Sequence, residues 1–148
     1  MADTIKIPDV GLIALTARCV EVAPTALYMD LYTNQVAYSG FADHVASSFT
    51  LMSSATDNAS YVQKTLAVDT WGTPTVITLQ GVSVYGEDIV WSFADHVSVD
   101  VWGYIVRDAS AVDAGNVLWA CYFESAKPIA YSSETITVTP TFKFGQVA

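Results

Sequence analysis

Two stretches decide the fold class: Val99-Asp100-Val101-Trp102-Gly103-Tyr104-Ile105-Val106-Arg107, and Val117-Leu118-Trp119-Ala120-Cys121-Tyr122-Phe123. In the first, Trp102, Tyr104 and Val106 alternate with Val101, Gly103 and Ile105. In the second, Val117, Trp119, Cys121 and Phe123 alternate with Leu118, Ala120 and Tyr122. Successive side chains of a strand point to opposite faces. Both faces of each stretch are therefore largely apolar, the mark of a central strand covered on both sides. Arg107-Asp108-Ala109-Ser110 through Asp113-Ala114-Gly115-Asn116 reads as a polar hairpin loop between them.

Outward from this pair the pattern stays β. Toward the C-terminus, Ile136, Val138, Phe142 and Phe144 alternate with Thr135, Thr137, Thr139, Thr141 and Lys143, which gives one apolar and one hydroxyl-bearing face. Pro140 has no N–H to donate to a ladder, so an edge or a bulge is expected there. Upstream, Thr75 to Gln80, Val82 to Tyr85 and Ile89 to Phe93 are three short β-rich runs separated by Gly81 and by Gly86-Glu87-Asp88. Tyr61 to Val68 alternates again and runs into a turn at Asp69-Thr70-Trp71-Gly72-Thr73-Pro74. In the strand Leu27 to Tyr32, Leu27, Met29 and Leu31 point one way and Tyr28, Asp30 and Tyr32 the other, which predicts a half-buried strand. Val36 to Ala59 reads as a long irregular connection. Leu12 to Ala17 is compatible with a short helix or a strand, the helix being the preferred reading. The expected fold is all-β: an antiparallel, jelly-roll-like β-sandwich spanning residues 11–148, with at most one short helix, preceded by a short N-terminal arm over residues 1–10.

Composition bounds the function. The chain has 148 residues, enough for one domain with a substantial core. It is 52% hydrophobic and only 14% charged, where about 25% charged is usual. The longest uncharged run, Thr70 to Gly86, is interrupted by Gly, Pro, Thr, Ser and Gln, which excludes it as a membrane-spanning helix. The first residues, Met1 to Pro8, show no basic segment leading into an apolar one, so the expected compartment of synthesis is the cytoplasm. A formal charge of −9 repels phosphates and anionic lipid surfaces, so neither nucleic acid nor membrane is an expected partner. Cys19 and Cys121 sit among apolar neighbours and read as buried small hydrophobes.

Four constellations invite a chemical reading. Phe41-Ala42-Asp43-His44-Val45 recurs as Phe93-Ala94-Asp95-His96-Val97 and contains both histidines of the chain. Two histidines and two carboxylates are a conceivable metal set, but adjacent strand residues diverge, and loop histidines bonded to nearby backbone are the expected reading. Glu87/Asp88 and Asp108/Asp113 are carboxylate pairs of the kind glycosidases use, and read first as turn residues. No G-x-S-x-G occurs, and neither cysteine has an electropositive neighbourhood, which argues against a nucleophilic enzyme. Asn58-Ala59-Ser60 matches a glycosylation acceptor and reads as a chance match. No catalytic residue, cofactor or metal is expected.

Aromatic residues are more informative. Four Trp and eight Tyr exceed what a small core needs, and both types favour interfaces. Trp102 and Trp119 are expected to fill the interior. Tyr28, Tyr32 and Tyr38, on or beside a polar strand face, are candidate subunit or partner contacts. So are Ile5 and Ile7, whose alternation fits the N-terminal segment to add a strand to a neighbour's edge.

The opening Ile7-Pro8-Asp9-Val10-Gly11, the strand Leu27 to Asn34, Lys64-Thr65-Leu66, Trp71-Gly72-Thr73-Pro74, the strands Trp102 to Ala109 and Val117 to Ala120, and the ending Glu134 to Phe142 together resemble a family of small tailed-bacteriophage virion structural proteins. Members of that family carry a G-Y-x-V-x-D-A strand, an L-L-W-A strand and a T-L-T-L-T-P-T-F terminal strand. The resemblance covers about two thirds of the chain and leaves Val36 to Ala59 unmatched. It implies a jelly-roll cement or decoration protein that forms a homotrimer and binds the major capsid protein on the virion surface. The alternative it leaves open is a structural or receptor-binding module of the tail or fibre tip. It brings no catalytic residues.

Overall fold

The computed structural model describes residues 4–6, 26–36, 44–67, 75–77, 80–84, 87–94, 98–112 and 114–145. Among the described residues the strands in chain order are β1 (Thr4–Lys6), β2 (Leu27–Tyr32), β3 (Lys64–Leu66), β4 (Thr75–Ile77), β5 (Gln80–Val84), β6 (Ile89–Phe93), β7 (Val99–Arg107), β8 (Val117–Ile129), β9 (Glu134–Val138) and β10 (Thr141–Gly145), with a 3-10 turn at Ala46–Ser48. The protein is all-β, and every pairing among the described residues is antiparallel.

β7 and β8 lie at the centre of a five-stranded sheet of order β1-β8-β7-β2-β3. The two-sided apolar pattern is the cause: Val101 and Tyr104 to Arg107 of β7, and Val117 to Cys121 of β8, are all buried. One face of this sheet carries Leu27, Met29, Leu31, Tyr104, Val106, Trp119 and Cys121. These residues share a single apolar cluster with Trp91 and Phe93 of β6 and Ile136 of β9. The β6–β9 pair thus forms a second β layer over that face. Each large apolar side chain so enclosed contributes roughly 1.5–3 kcal/mol.

The opposite face is covered by the chain that follows β2. Tyr32, Ile105, Val117 and Ala120 pack there with Val36, Ala46 and Phe49. Asn34 fastens this cover: its side-chain amide donates to Ser48 O at 3.0 Å, and its carbonyl oxygen accepts from Thr50 N at 2.7 Å. Met52 N then donates to Leu31 O, so the connection returns alongside β2.

Four expectations need correction. β2 is not half-polar, because Asp30 and Tyr32 are as buried as Met29 and Leu31. Gly81 does not separate two strands but lies inside β5, paired with Val76 and Phe144. The C-terminal alternation is two strands rather than one: β9 pairs with β6 and β10 with β5, with Pro140 at the break. β8 runs on to Ile129 past the apolar stretch, and its register against β7 shifts between Tyr122 and Lys127, where Glu124 and Ser125 are exposed. The residues named for a short helix, Leu12 to Ala17, lie outside the described set.

Candidate functional site

The densest polar constellation among the described residues sits where β7 ends. Arg107 is fully buried, and its Nη2 donates to Asp30 Oδ2 of β2 at 2.6 Å. The Asp30 carboxylate also accepts from the Tyr61 hydroxyl, 3.0 Å at Oδ1, and from Gln63 Nε2, 2.8 Å at Oδ2. The second arm of the guanidinium turns to the hairpin loop. Arg107 Nη1 donates to Ala111 O at 2.6 Å and to Ala114 O at 3.1 Å. Gln63 Nε2 reaches Ser110 O at 3.1 Å. Three backbone carbonyls of one loop are therefore gripped from inside the protein.

Strand geometry places these groups. Tyr28 pairs with Arg107 and Asp30 with Ile105, so Asp30 and Arg107 share a face. Tyr61 enters from the segment before β3, and its hydroxyl also accepts Leu31 N at 3.2 Å. Burial, and secondly the Asp30 carboxylate beside it, push the Tyr61 hydroxyl far above its ordinary pKa. The phenol stays protonated and acts as a donor. A carboxylate that receives three donors in a closed interior is a fixed acceptor, and its chemistry here is positional.

The base of the same loop is closed separately. Asp108 Oδ1 accepts from Asn116 N at 2.7 Å and Oδ2 from Asn116 Nδ2 at 2.9 Å. Gly115 has φ +76°, and a Cβ there would lie 2.4 Å from Asp108 Oδ1, so the glycine is required both by conformation and by space. Asp108 is thus a turn residue, as its sequence context implies.

A second polar feature lies behind β7. Tyr32 is opposite Gly103 on the neighbouring strand, and its hydroxyl donates across it to Cys121 O at 3.2 Å. Burial, then the nearby Tyr122 and Cys121, hold this phenol neutral as well. Tyr122 in turn donates to Val36 O at 2.6 Å.

The candidate contact residues separate accordingly. Tyr28 is half-buried on β2. Tyr32 is wholly enclosed by its own chain, a correction to its expected place on a polar face: Phe49 and Tyr122 pack edge-on against its ring. Ile5 lies in β1, whose backbone pairs Thr4, Ile5 and Lys6 with Tyr122, Cys121 and Ala120 of the same chain's β8. Ile7 and Tyr38 lie outside the described residues. Trp119 is buried, whereas Trp102 is half-buried.

The remaining constellations do not converge. His44 packs edge-on against Phe49, while Asp43, Asp95 and His96 lie outside the described residues. Among the described residues no group of three or more His, Cys, Asp or Glu is placed to hold a metal ion. Glu87 and Asp88 are both exposed, and Asp88 accepts from the Thr139 hydroxyl. Cys121 is buried, and Cys19 and Asp113 lie outside the described residues. Asn58 is buried with its carbonyl oxygen bound to Ser60, which closes the acceptor match to modification in the folded state.

Sequence reasoning passed over Asp30, Tyr61, Gln63 and Arg107 as a set. The available signal was an arginine ending an otherwise apolar strand, which demands a partner if buried. No protein-family model matches the chain, and no curated protein matches it. Among the described residues no helix is long and apolar enough to cross a membrane.

Proposed function

We propose that the protein is a structural component of a tailed-bacteriophage virion. In this reading it is a capsid cement or decoration protein that assembles as a homotrimer and binds neighbouring major capsid subunits on the virion surface. In this reading the antiparallel sheets belong to a jelly-roll-like sandwich. Attachment at several points multiplies modest contacts into tight binding.

The observation that supports this reading is the use made of the interior polar groups. Arg107 and Gln63, both bonded to Asp30 beside Tyr61, hold backbone carbonyls of a surface loop. A protein whose task is to present a fixed surface has use for such an arrangement. Two of the strands that carry the resemblance, β7 and β8, frame the loop. The acidic balance favours protein partners over nucleic acid or membrane.

Averaged cryo-electron microscopy of virions, with and without the protein, tests the reading. Extra density on the shell lattice is expected. Density confined to the tail or fibre tip assigns the alternative role, and no density in the particle ends both.

A further inference from the structure

We infer that segment 60–63, the run of chain entering β3, is a strap between the two β layers. It makes the order of the loop between β7 and β8 depend on the seating of the β6–β9 pair, and the seating of that pair depend on the loop. This coupling is a property of the fold and does not rest on the virion reading.

Each residue of the segment holds an element on one side or the other. The Ser60 hydroxyl accepts from Ala94 N, just past the end of β6, at 3.0 Å and donates to Asn58 Oδ1. The Val62 carbonyl accepts from Trp91 Nε1 of β6 at 3.1 Å. Tyr61 and Gln63 turn instead to the main sheet, sharing a side as residues two positions apart in an extended run do. The Tyr61 hydroxyl bonds Leu31 N and Asp30 Oδ1 of β2, and Gln63 Nε2 is shared between Asp30 Oδ2 and Ser110 O in the loop. The β6–β9 layer is therefore bonded at Ser60 and Val62, and β2 and the loop at Tyr61 and Gln63.

Burial couples the two sides. Trp91 and Tyr61 are both buried, and a buried donor left without its acceptor costs more than a bond exchanged with water. β6 thus cannot shift away from the strap and leave Val62 O behind. Because one amide of Gln63 serves both Asp30 and Ser110, a displaced strap gives up the carboxylate and the loop together. The other framework contacts to the loop come from Arg107, whose carboxylate partner is the same Asp30. A continuous run of hydrogen bonds therefore joins Ala94 to the loop, and a coupling free energy acts equally in both directions. Lifting the end of β6 loosens the loop, and fixing the loop seats β6.

Hydrogen exchange of the full-length protein, followed amide by amide by NMR beside urea unfolding for global stability, tests the coupling. Ser60→Ala removes the bond to Ala94 N. It should lower protection at the Ala114 amide, which donates to Ala111 O in the loop, by about five-fold beyond the global change, the equivalent of one hydrogen bond. Gln63→Ala should in turn lower protection at the Ala94 amide by about five-fold. Combined, the two changes should cost less at Ala114 than the product of their single effects, since they interrupt one route. Asn34→Ala removes comparable bonds from the cover of the opposite face and should leave both amides at parental protection after the same correction. Each single variant tests one direction, so failure of one to fold leaves the other decisive. Loss confined to Ala94 in Ser60→Ala, or confined to the loop in Gln63→Ala, overturns the strap. So does a uniform loss at all amides that matches the fall in global stability, or equal loosening of both amides in Asn34→Ala.

Discussion

Replacing Gly103 by Ala should be among the most damaging single-methyl additions in the described fold. A Cβ at this position would lie 2.0 Å from Cys121 O, 2.5 Å from Tyr32 Oη and 2.8 Å from Tyr32 Cζ. The first obstacle is backbone of the adjacent strand, and β7 cannot retreat from it because β2 is paired on its other side. Overpacking of this kind costs about 1–3 kcal/mol. Displacing the Tyr32 ring also removes its hydroxyl's bond to Cys121 O, a further ~1 kcal/mol. The expected loss is therefore about 3 kcal/mol, a large share of the 5–15 kcal/mol typical of a domain. At about 2–4 °C per kcal/mol for a chain of this length, the melting temperature should fall by about 10 °C. Urea unfolding of the parent, Gly103→Ala, Tyr32→Ala and the double variant measures it. The tyrosine clash vanishes in the Tyr32→Ala background and the Cys121 clash does not, so Gly103→Ala should cost less there but still destabilise. A loss below about 1 kcal/mol in the parent background, or strict additivity of the two changes, would refute the close-approach reasoning.

Asp30→Leu alone leaves a buried guanidinium without its carboxylate and should destabilise by about 3–5 kcal/mol, while Asp30→Leu/Arg107→Met should recover most of that loss in the same urea assay. Ser133 holds φ 74° in the turn between β8 and β9, so Ser133→Gly should raise stability by about 0.5–1 kcal/mol, read as a higher urea midpoint at unchanged slope. Tyr32 and Tyr61 both have pKa values raised by burial. For such a group the native state favours the protonated form, so its contribution is complete below the unfolded tyrosine value of about 10 and declines as pH rises beyond it. An alkaline absorbance titration should show these two phenols ionising only as the chain unfolds, and an early reversible ionisation one phenol larger in the parent than in Tyr61→Phe would count against the Tyr61 assignment.

The centre of the sheet was legible because its signal is local. Alternation with apolar residues in both registers of Val99 to Arg107 and Val117 to Phe123 states burial without reference to any partner. Pro140 was legible for the same reason, since a missing N–H interrupts a ladder wherever it stands, although the change of pairing partner from β6 to β5 across it was not. Asp30 and Tyr32 misled because a polar residue in a strand reads as solvent-facing. The groups that make burial tolerable come from elsewhere: Arg107 is 77 positions from Asp30, and the carbonyl that takes the Tyr32 hydroxyl is 89 positions away. Gly103 offered a usable hint, because a glycine inside an apolar strand marks close approach of another group. The identity of that group, the ring of Tyr32, is a fact of register and not of sequence pattern.

The buried pair also explains why the loop has the composition it has. A loop fixed by its own side chains would need Asn, Asp or Ser at its apex to bond its backbone. Here the carbonyls of Ser110, Ala111 and Ala114 are satisfied by Arg107 and Gln63 from the framework, which leaves the apex positions free of that duty. Alanine and valine can then occupy a solvent-exposed turn without leaving those carbonyls unpaired. At this point the charge of Arg107 lies inside, and the aliphatic side chains of Ala111 and Val112 lie outside. Removing Arg107 would take two of the three internal contacts from the loop and leave Gln63 Nε2 on Ser110 O. The low charge content of the chain is at this one point a matter of placement: Asp30 and Arg107 lie where they fix geometry, and Ala111 and Val112 are exposed above them.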